Sequence, residues 1–218
     1  MNKNYPIMLD LTGRSCLVVG GGKVAARKIK TLLHSGAKVT VISPQAVPSV
    51  AQWSEEARIT WHQEEYVSQD VRDYAFVFAA TNRPEVNLAV YEAVQKHGGW
   101  INIIDRPDLC NFTVPASVHR GKLVISVSTS GASPGLSRQI RKKMEEDYGS
   151  EYEGYVNFLA DVRELVMTEI AEPNKRKEIF TSLLDESFVT ATEAERYRRV
   201  AALLGKQEIL PPDARRQT

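Results

Sequence analysis

Apolar and polar residues follow two different periods along the first half of the chain. Short runs of β-branched and other apolar residues, such as Lys-Val-Thr-Val-Ile at 38–42, indicate strands. Between these runs, apolar residues recur every three or four positions, as in helices. The pattern predicts strands at 15–19, 38–42, 59–62, 76–80 and 100–104, and helices at 24–35, 46–56 and 84–97. Strands that alternate with helices predict a Rossmann-like α/β fold with a parallel, doubly wound sheet.

The pattern changes after residue 105. Strands are predicted without a long helix between them, and a basic helix and several amphipathic helices follow. These elements are at 111–114 and 123–128 (strands), at 136–148 (basic helix), and at 155–170, 175–184 and 192–204 (tail helices). We therefore expect a Rossmann domain at 1–113, a small α+β region at 114–149, to which the resemblance given below assigns dimerisation, and a helical C-terminal domain at 150–218.

A glycine turn joins the first predicted strand to the first helix, in the run Val-Val-Gly-Gly-Gly-Lys-Val-Ala. Gly20 allows the tight turn, and Gly22 lets the backbone approach a phosphate closely. The helix that starts near Lys23 and Val24 then directs its first amide groups and its positive dipole end at an anion. Together these features predict a binding site for a dinucleotide pyrophosphate.

Further polar residues follow the second and fourth predicted strands. Ser43 and Pro44 end one strand, and Thr81 and Asn82 end the other. Because the carboxyl ends of parallel strands meet at one edge, these residues should join the glycine turn in a single crevice. Ser43 occupies the place where an acid often binds the adenosine ribose. A serine there leaves the choice between NAD and NADP open.

Two titratable residues are candidates for catalysis. Asp105 follows the fifth predicted strand, where a carboxylate beside a nicotinamide can move a proton or orient a substrate. Its alternative role is to cap the turn into the next residues. His119, in a predicted turn, is a weaker candidate acid or base. No residue spacing indicates a metal site.

A loop rich in hydroxyl groups and glycine precedes the predicted basic helix. Its amides and hydroxyls, with an arginine of the helix, could hold carboxylates or phosphates. The alternative is a capped surface helix with a solvated basic face. The candidate binding residues are Ser128, Thr129, Ser130, Gly131, Ser133 and Arg138.

Composition narrows the possible partners and compartment. The formal net charge of the 218 residues is +1, which gives no overall field for nucleic acid or an anionic membrane. No apolar run is long enough to span a membrane. The two cysteines, Cys16 and Cys110, do not suggest a disulfide framework, and free thiols fit a reducing compartment. We expect a cytoplasmic protein.

Taken together and in order, five motifs resemble the precorrin-2 dehydrogenase family of siroheme biosynthesis, which includes the amino-terminal part of the multifunctional siroheme synthases. With no methyltransferase domain in the chain, the resemblance is to the stand-alone form. The motifs are at 18–28, 79–82, 102–105, 111–116 and 128–134. The last two, Asn-Phe-x-x-Pro-Ala and Ser-Gly-x-Ser-Pro, are the most specific.

The resemblance implies NAD-dependent oxidation of precorrin-2, a tetrapyrrole, to sirohydrochlorin. It also implies a homodimer that pairs through the central region. The family's catalytic aspartate falls on Asp105, and its serine-rich loop falls on Ser128, Thr129 and Ser130. Two alternatives stay open: a bifunctional enzyme that also inserts iron into sirohydrochlorin, and an NAD-sensing regulatory module with the same glycine turn.

Overall fold

The computed structural model describes residues 4–68, 70–209 and 211. The chain divides into two compact units, Met1–Val114 and Pro115–Thr218. The first unit contains β1 (Ser15–Val19), α1 (Lys23–His34), β2 (Lys38–Ile42), α2 (Pro48–Glu55), β3 (Ile59–His62), β4 (Phe76–Ala79), α3 (Pro84–Gln95) and β5 (Ile101–Ile103). Within the described residues these strands form a parallel sheet in the order β3-β2-β1-β4-β5. The predicted Rossmann-like α/β fold is confirmed.

Both faces of this sheet are covered, so its central strands are almost continuously apolar. Alternate residues of β1 point to opposite faces. Cys16 belongs to a core cluster with Ile29 of α1 and Val50 of α2. Leu17 belongs to a second cluster with Val90 of α3. The helices therefore lie in two layers, one on each side of the sheet.

The chain order of the strands reverses between β1 and β4. From β1 the chain adds β2 and then β3 on one side, and it crosses back to add β4 and β5 on the other. The helices that follow β1 and β4 therefore pack on opposite faces of the sheet, α1 on one and α3 on the other. This reversal opens a crevice at the carboxyl ends of the strands, where ligands bind in such sheets.

The second unit begins with a β-hairpin and continues as helices. The hairpin consists of β6 (Ala116–Arg120) and β7 (Leu123–Val127), which pair antiparallel. The helices are α4 (Pro134–Asp147), α5 (Glu151–Glu169), α6 (Pro173–Ser182), α7 (Ser187–Thr190) and α8 (Glu193–Leu204). A core of buried residues from α5 to α8, including Phe158, Val162, Leu183 and Val200, holds the helical part together.

The strand predicted at 111–114 is wrong: the segment is irregular and lies beside β5. The Asn111 side chain takes the place of a strand, because its Oδ1 accepts a hydrogen bond from Ile101 N (2.8 Å) and its Nδ2 donates to Gly99 O (2.7 Å). The partner of β7 is instead β6, which the sequence pattern missed. A 3₁₀ turn at Pro107–Leu109 and helix α7 were also missed. The three domain ranges given above stay predictions.

Candidate functional site

Two glycines of the turn after β1 are required by close packing of the backbone. Gly20 has φ +120°, and a Cβ on it would lie 2.8 Å from the Ala80 carbonyl carbon at the end of β4. A Cβ on Gly21 would lie 2.9 Å from the Ala46 Cα. Both distances are shorter than real Cβ contacts. The turn therefore lies directly against the loops after β2 and β4, at the crevice.

Gly22 differs from its two neighbours, because a Cβ built on it meets no atom within 4 Å. It is the N-cap residue of α1 and makes no side-chain cap, and the first helical turn contains no acid. The first intrahelical bond runs from Ala26 N to Gly22 O, so the amides of Lys23, Val24 and Ala25 are left for a ligand or water. Open space and unused amides at a positive helix end fit a pyrophosphate.

The loop after β2 uses the Ser43 side chain internally. Ser43 is buried and its hydroxyl donates to Gln45 O (2.6 Å), while its carbonyl accepts from Trp61 Nε1 (2.9 Å). Only the lone pairs of the hydroxyl oxygen are then left to accept a bond from a ribose. Pro44, the next residue, is exposed. The structure keeps both residues beside the glycine turn, because Val47 N donates to Gly21 O (2.9 Å).

The ends of β4 and β5 form a cavity of about 240 Å³. It brings together three residues that the sequence singled out after two different strands. The lining includes Thr81, Asn82, Asn87, Ile103, Asp105 and Arg106. The cavity lies at the carboxyl edge of the sheet, on the β4 side of the glycine turn.

Asp105 is exposed and has a left-handed backbone, with φ +58°. Aspartate adopts this conformation more readily than most residues. Its carboxylate makes no hydrogen bond or ion pair with any residue that the structure describes. The nearby Asp108 differs, because Arg106 donates to both of its oxygens (3.0 and 2.7 Å) and so lowers its pKa. Asp105 is therefore the carboxylate of this loop that is available to a ligand.

Asn87 is a site residue that sequence reasoning missed. It is buried on α3, and its Oδ1 accepts from both Thr81 N (3.2 Å) and Thr81 Oγ1 (2.8 Å) while its Nδ2 donates to Thr81 O (3.1 Å). These bonds fix the loop after β4. The sequence feature that could have identified Asn87 is its helical spacing from Val90 and Val94. This spacing places a polar amide on the face of α3 that is otherwise apolar.

The hydroxyl-rich loop of the second unit is largely self-bonded. Thr129 Oγ1 donates to Ser133 O and accepts from Ser133 N, both at 3.1 Å, and also accepts from Ser137 Oγ. Ser133 Oγ caps α4 by accepting from Leu136 N (3.2 Å). Because the helix also begins with a proline, which has no N–H, Gly135 keeps the one unused amide of its first turn. The helix start therefore offers an anion fewer amides than the sequence suggested.

The remaining candidates of the second unit are exposed. Ser128 and Ser130 flank Thr129, and Ser130 N donates to Ser128 Oγ (3.1 Å). Ser130 and Gly131 have left-handed backbones, with φ +53° and +85°. Arg138 lies on α4, one turn after its start.

His119 is exposed on β6, opposite Val124 of β7. It belongs to the second unit, whereas Asp105 belongs to the first. Among the residues that the structure describes, no cluster of three or more histidine, cysteine, aspartate or glutamate side chains could hold a metal ion. No helix within the same residues is long and apolar enough to cross a membrane.

Fold and site together define a dinucleotide-binding protein of the Rossmann type. A family model of NAD(P)-binding domains matches residues 7–116, and a model of the central region of sirohaem biosynthesis proteins matches residues 120–146. The chain belongs to the precorrin-2 dehydrogenase family. The resemblance given by its motifs is thereby confirmed.

Individual relatives agree with this assignment. The chain is 32% identical to the precorrin-2 dehydrogenase of Priestia megaterium over 84% of this chain and 91% of that protein. It is 38% identical to the siroheme synthase of Methylococcus capsulatus over 83% of this chain but 38% of that protein. The chain thus spans less than half the length of the siroheme synthases it matches. The solved structure of SirC, a precorrin-2 dehydrogenase, superposes with a TM-score of 0.79 at 29% identity, covering 93% of this chain and all of SirC.

Proposed function

We propose that the chain oxidises precorrin-2 to sirohydrochlorin with NAD, as a step of siroheme biosynthesis. The substrate loses one hydride and one proton, so the products are sirohydrochlorin, NADH and a proton. The observation that carries the proposal is the placement of Asp105. Its carboxylate, which no described residue pairs with, lines the same cavity as Thr81 and Asn82, beside the glycine turn that fits a pyrophosphate.

The first unit supplies the residues for the dinucleotide. The α1 amides that begin at Lys23 and Val24 would hold the diphosphate, and the open space at Gly22 would admit it. Ser43 and Pro44 would meet the adenosine ribose. Bound NAD would supply the carbon that accepts the hydride. The match to NAD(P)-binding domains and the similarity to the precorrin-2 dehydrogenase of Priestia megaterium support this choice of cofactor.

Carboxylates of the tetrapyrrole would be bound by the second unit. Arg138 offers a charged donor, and the hydroxyls of Ser128 and Ser130 are exposed on the loop before α4. Thr129 and Ser133 support this loop through their own bonds. We therefore assign substrate contact to Ser128, Ser130, Gly131 and Arg138, and loop support to Thr129 and Ser133.

Asp105 would accept the proton that leaves the macrocycle. A carboxylate can act as a general base only within hydrogen-bond reach of that proton. The exposed position of Asp105 at the cavity allows such an approach. His119 is the second candidate for the proton, from the second unit.

The test is anaerobic turnover of precorrin-2 and NAD by the purified chain, followed by sirohydrochlorin absorbance. Asp105→Asn is the informative variant, because asparagine keeps the shape and tolerates φ +58° but removes the charge. We expect its kcat to fall by about a hundredfold or more. Asp108→Asn, in the same loop, is the matched control and should stay within about twofold, since an exposed ion pair contributes little.

Each result separates the candidate functions. Turnover that is lost in Asp105→Asn alone supports both the enzyme and its base. If both variants retain turnover, the proposed activity stands, but the proton is accepted by His119 or water and not by Asp105. No turnover by the wild type, despite NAD binding, favours a regulatory module. Consumption of sirohydrochlorin with added iron would add the chelatase activity.

We further propose that the chain forms a homodimer through its hairpin. The hairpin packs against α4 within one chain, but the apolar side chains of Leu123, Val124 and Ile125 on β7 stay only half-buried there. A second copy that covers them would complete this sheet. Sedimentation equilibrium should give twice the chain mass, and Val124→Lys should shift it to the monomer.

We place the protein in the cytoplasm. Both cysteines, Cys16 and Cys110, are free thiols, and free thiols fit a reducing compartment. Fractionation of cells that carry a tagged chain tests this placement.

A further inference from the structure

The outer edge of β5 is closed by side chains of the segment that follows it. Asn111 bonds to Ile101 and Gly99, as described above, and its own N–H donates to Ile101 O (3.2 Å). One residue earlier, the Cys110 thiol accepts a hydrogen bond from Ile103 N (3.1 Å). The backbone groups of an edge strand that would otherwise face solvent are thus satisfied by two consecutive residues.

The Cys110 thiol also spans the loop that carries Asp105. Its Sγ lies 3.4 Å from Ile103 O and 3.3 Å from Arg106 O, so the S–H is shared between the carbonyls on either side of Asp105. Residues 104–109 leave β5 and return to the same sulfur. We call this closed loop, residues 103–110, the Asp105 clasp.

Residues inside the first unit also hold the Cys110 sulfur in place. Buried Asn102 points its Nδ2 at Cys110 Sγ (3.8 Å) and donates to Phe112 O (3.1 Å). Its Oδ1 accepts from Lys28 Nζ of α1 (2.8 Å). The Lys28 ammonium lies over the Phe78 ring, and burial lowers its pKa. The position of Cys110 is therefore tied to α1 and β5, not only to its own loop.

The clasp has a consequence for the backbone of Asp105. A left-handed residue outside glycine persists where surrounding bonds determine it. Here the Cys110 sulfur bonds to the carbonyls of Ile103 and Arg106, which lie on either side of the Ile104-Asp105 dipeptide. These bonds fix the backbone on both sides of Asp105, whose φ is +58°. No bond from the Asp105 side chain itself to a described residue contributes. The direction of the carboxylate thus depends on the sulfur.

We propose that Cys110 is a positioning residue for Asp105, and this inference rests on the proposed function. The thiol holds the loop so that the carboxylate faces the cavity at the ends of β4 and β5. Among the described residues the thiol makes no hydrogen bond to the glycine turn, and it reaches α1 only through Asn102 and Lys28, so its removal should leave the dinucleotide residues in place. Loss of the thiol instead frees the backbone of the loop that carries Asp105.

The kinetic test compares Cys110→Ala with Cys110→Ser in the full chain. Cys110→Ala should lower kcat by roughly ten- to a hundredfold with an unchanged KM for NAD, because a small displacement of a reacting group has an effect of this size. Cys110→Ser keeps a donor and an acceptor and should restore most of kcat. An alanine variant with wild-type kcat overturns the proposal, as does a serine variant that is no better than alanine.

A double-mutant cycle separates positioning from general destabilisation. If Cys110 acts through Asp105, Cys110→Ala should have almost no further effect on kcat in an Asp105→Asn background. Equal losses in both backgrounds overturn the proposal. Melting temperatures of all four proteins are measured in parallel, so that a purely structural role, which lowers stability in both backgrounds, is recognised.

Amide hydrogen exchange tests the clasp without any turnover. In the ligand-free protein, the peptide that covers residues 104–109 should exchange about tenfold faster in Cys110→Ala than in the wild type, while the peptide that covers α1 stays unchanged. Equal exchange of residues 104–109 overturns the inference even if the enzyme is active. Faster exchange in a protein that does not oxidise precorrin-2 preserves the clasp and refutes the proposed function instead.

Discussion

Alanine in place of Gly20 and alanine in place of Gly22 should affect different properties, although the two glycines are two residues apart. At Gly20 the new Cβ would meet the backbone of Ala80, and φ +120° is a conformation that L residues rarely adopt. At Gly22 the backbone is extended, with φ −79°, and the new Cβ meets nothing within 4 Å. We expect Gly20→Ala to lose stability and Gly22→Ala to lose dinucleotide binding.

The magnitudes follow from these two environments. Backbone strain of the Gly20 kind costs about 1–3 kcal/mol, and a methyl group forced against backbone costs about 1–3 kcal/mol more. For a chain of this size such a loss lowers Tm by roughly 5–20 °C. At Gly22, alanine is a poorer N-cap than glycine, which lowers stability, but it also makes the unfolded chain less flexible, which raises stability. Because these effects oppose each other, the free energy of unfolding should change by less than about 1 kcal/mol.

Thermal melts and NAD titration of both variants form the assay. Gly22→Ala should melt near the wild type but bind NAD at least about tenfold more weakly, which is about 1.4 kcal/mol. Gly20→Ala should melt well below both. The reasoning is refuted if Gly22→Ala binds NAD like the wild type, or if Gly20→Ala is as stable as Gly22→Ala.

Three further predictions concern the two thiols and the helical unit. N-ethylmaleimide should label half-buried Cys110 before fully buried Cys16, and the first adduct, located by peptide mass, should coincide with the loss of turnover. Burial raises the pKa of the Cys16 thiol from 9.0 to about 11. As the pH rises, the unfolded chain therefore loses this proton before the folded protein does. The free energy of unfolding should fall between pH 9 and pH 11 by at most roughly 2–3 kcal/mol. Urea unfolding at several pH values measures this fall, which should be smaller in Cys16→Ala. Arg196→Ala should destabilise the chain by roughly 2–4 kcal/mol in urea, because buried Arg196 donates to two carbonyls at α7 (2.7 and 2.6 Å). Arg198→Ala, its control at an exposed position of the same helix, should cost under about 1 kcal/mol.

The parallel sheet was predictable because local and tertiary preferences agree there. Residues 15–19, 38–42 and 59–62 are strands with the predicted bounds. Apolar residues of the first two runs are buried on both faces, and those of the third pack on one face, so propensity and packing favour the same state. The segment at 111–114 has a similar β-branched composition, but its pairing is made by the Asn111 amide. A residue pattern does not encode whether a side chain or the backbone bonds to an edge strand.

The candidate site was predictable as far as the topology determines it. Parallel strands place their carboxyl ends together, so residues after β1, β4 and β5 could be grouped from the sequence. The bonds that arrange them could not. Asn87, which fixes Thr81, and Cys110, which spans the Asp105 loop, act through contacts between side chains and distant backbone. Such contacts depend on the final distances between elements.

The closed edge of β5 also affects how chains meet each other. An uncovered edge strand is a template on which another polypeptide can add a strand, and this is a common start of aggregation. In this protein the amide of Asn111 already occupies the hydrogen-bonding groups of Ile101 and Gly99. Loss of that amide would expose an apolar edge next to half-exposed Trp100. Asn111 therefore removes a site on which another chain could add a strand, in addition to shaping the loop.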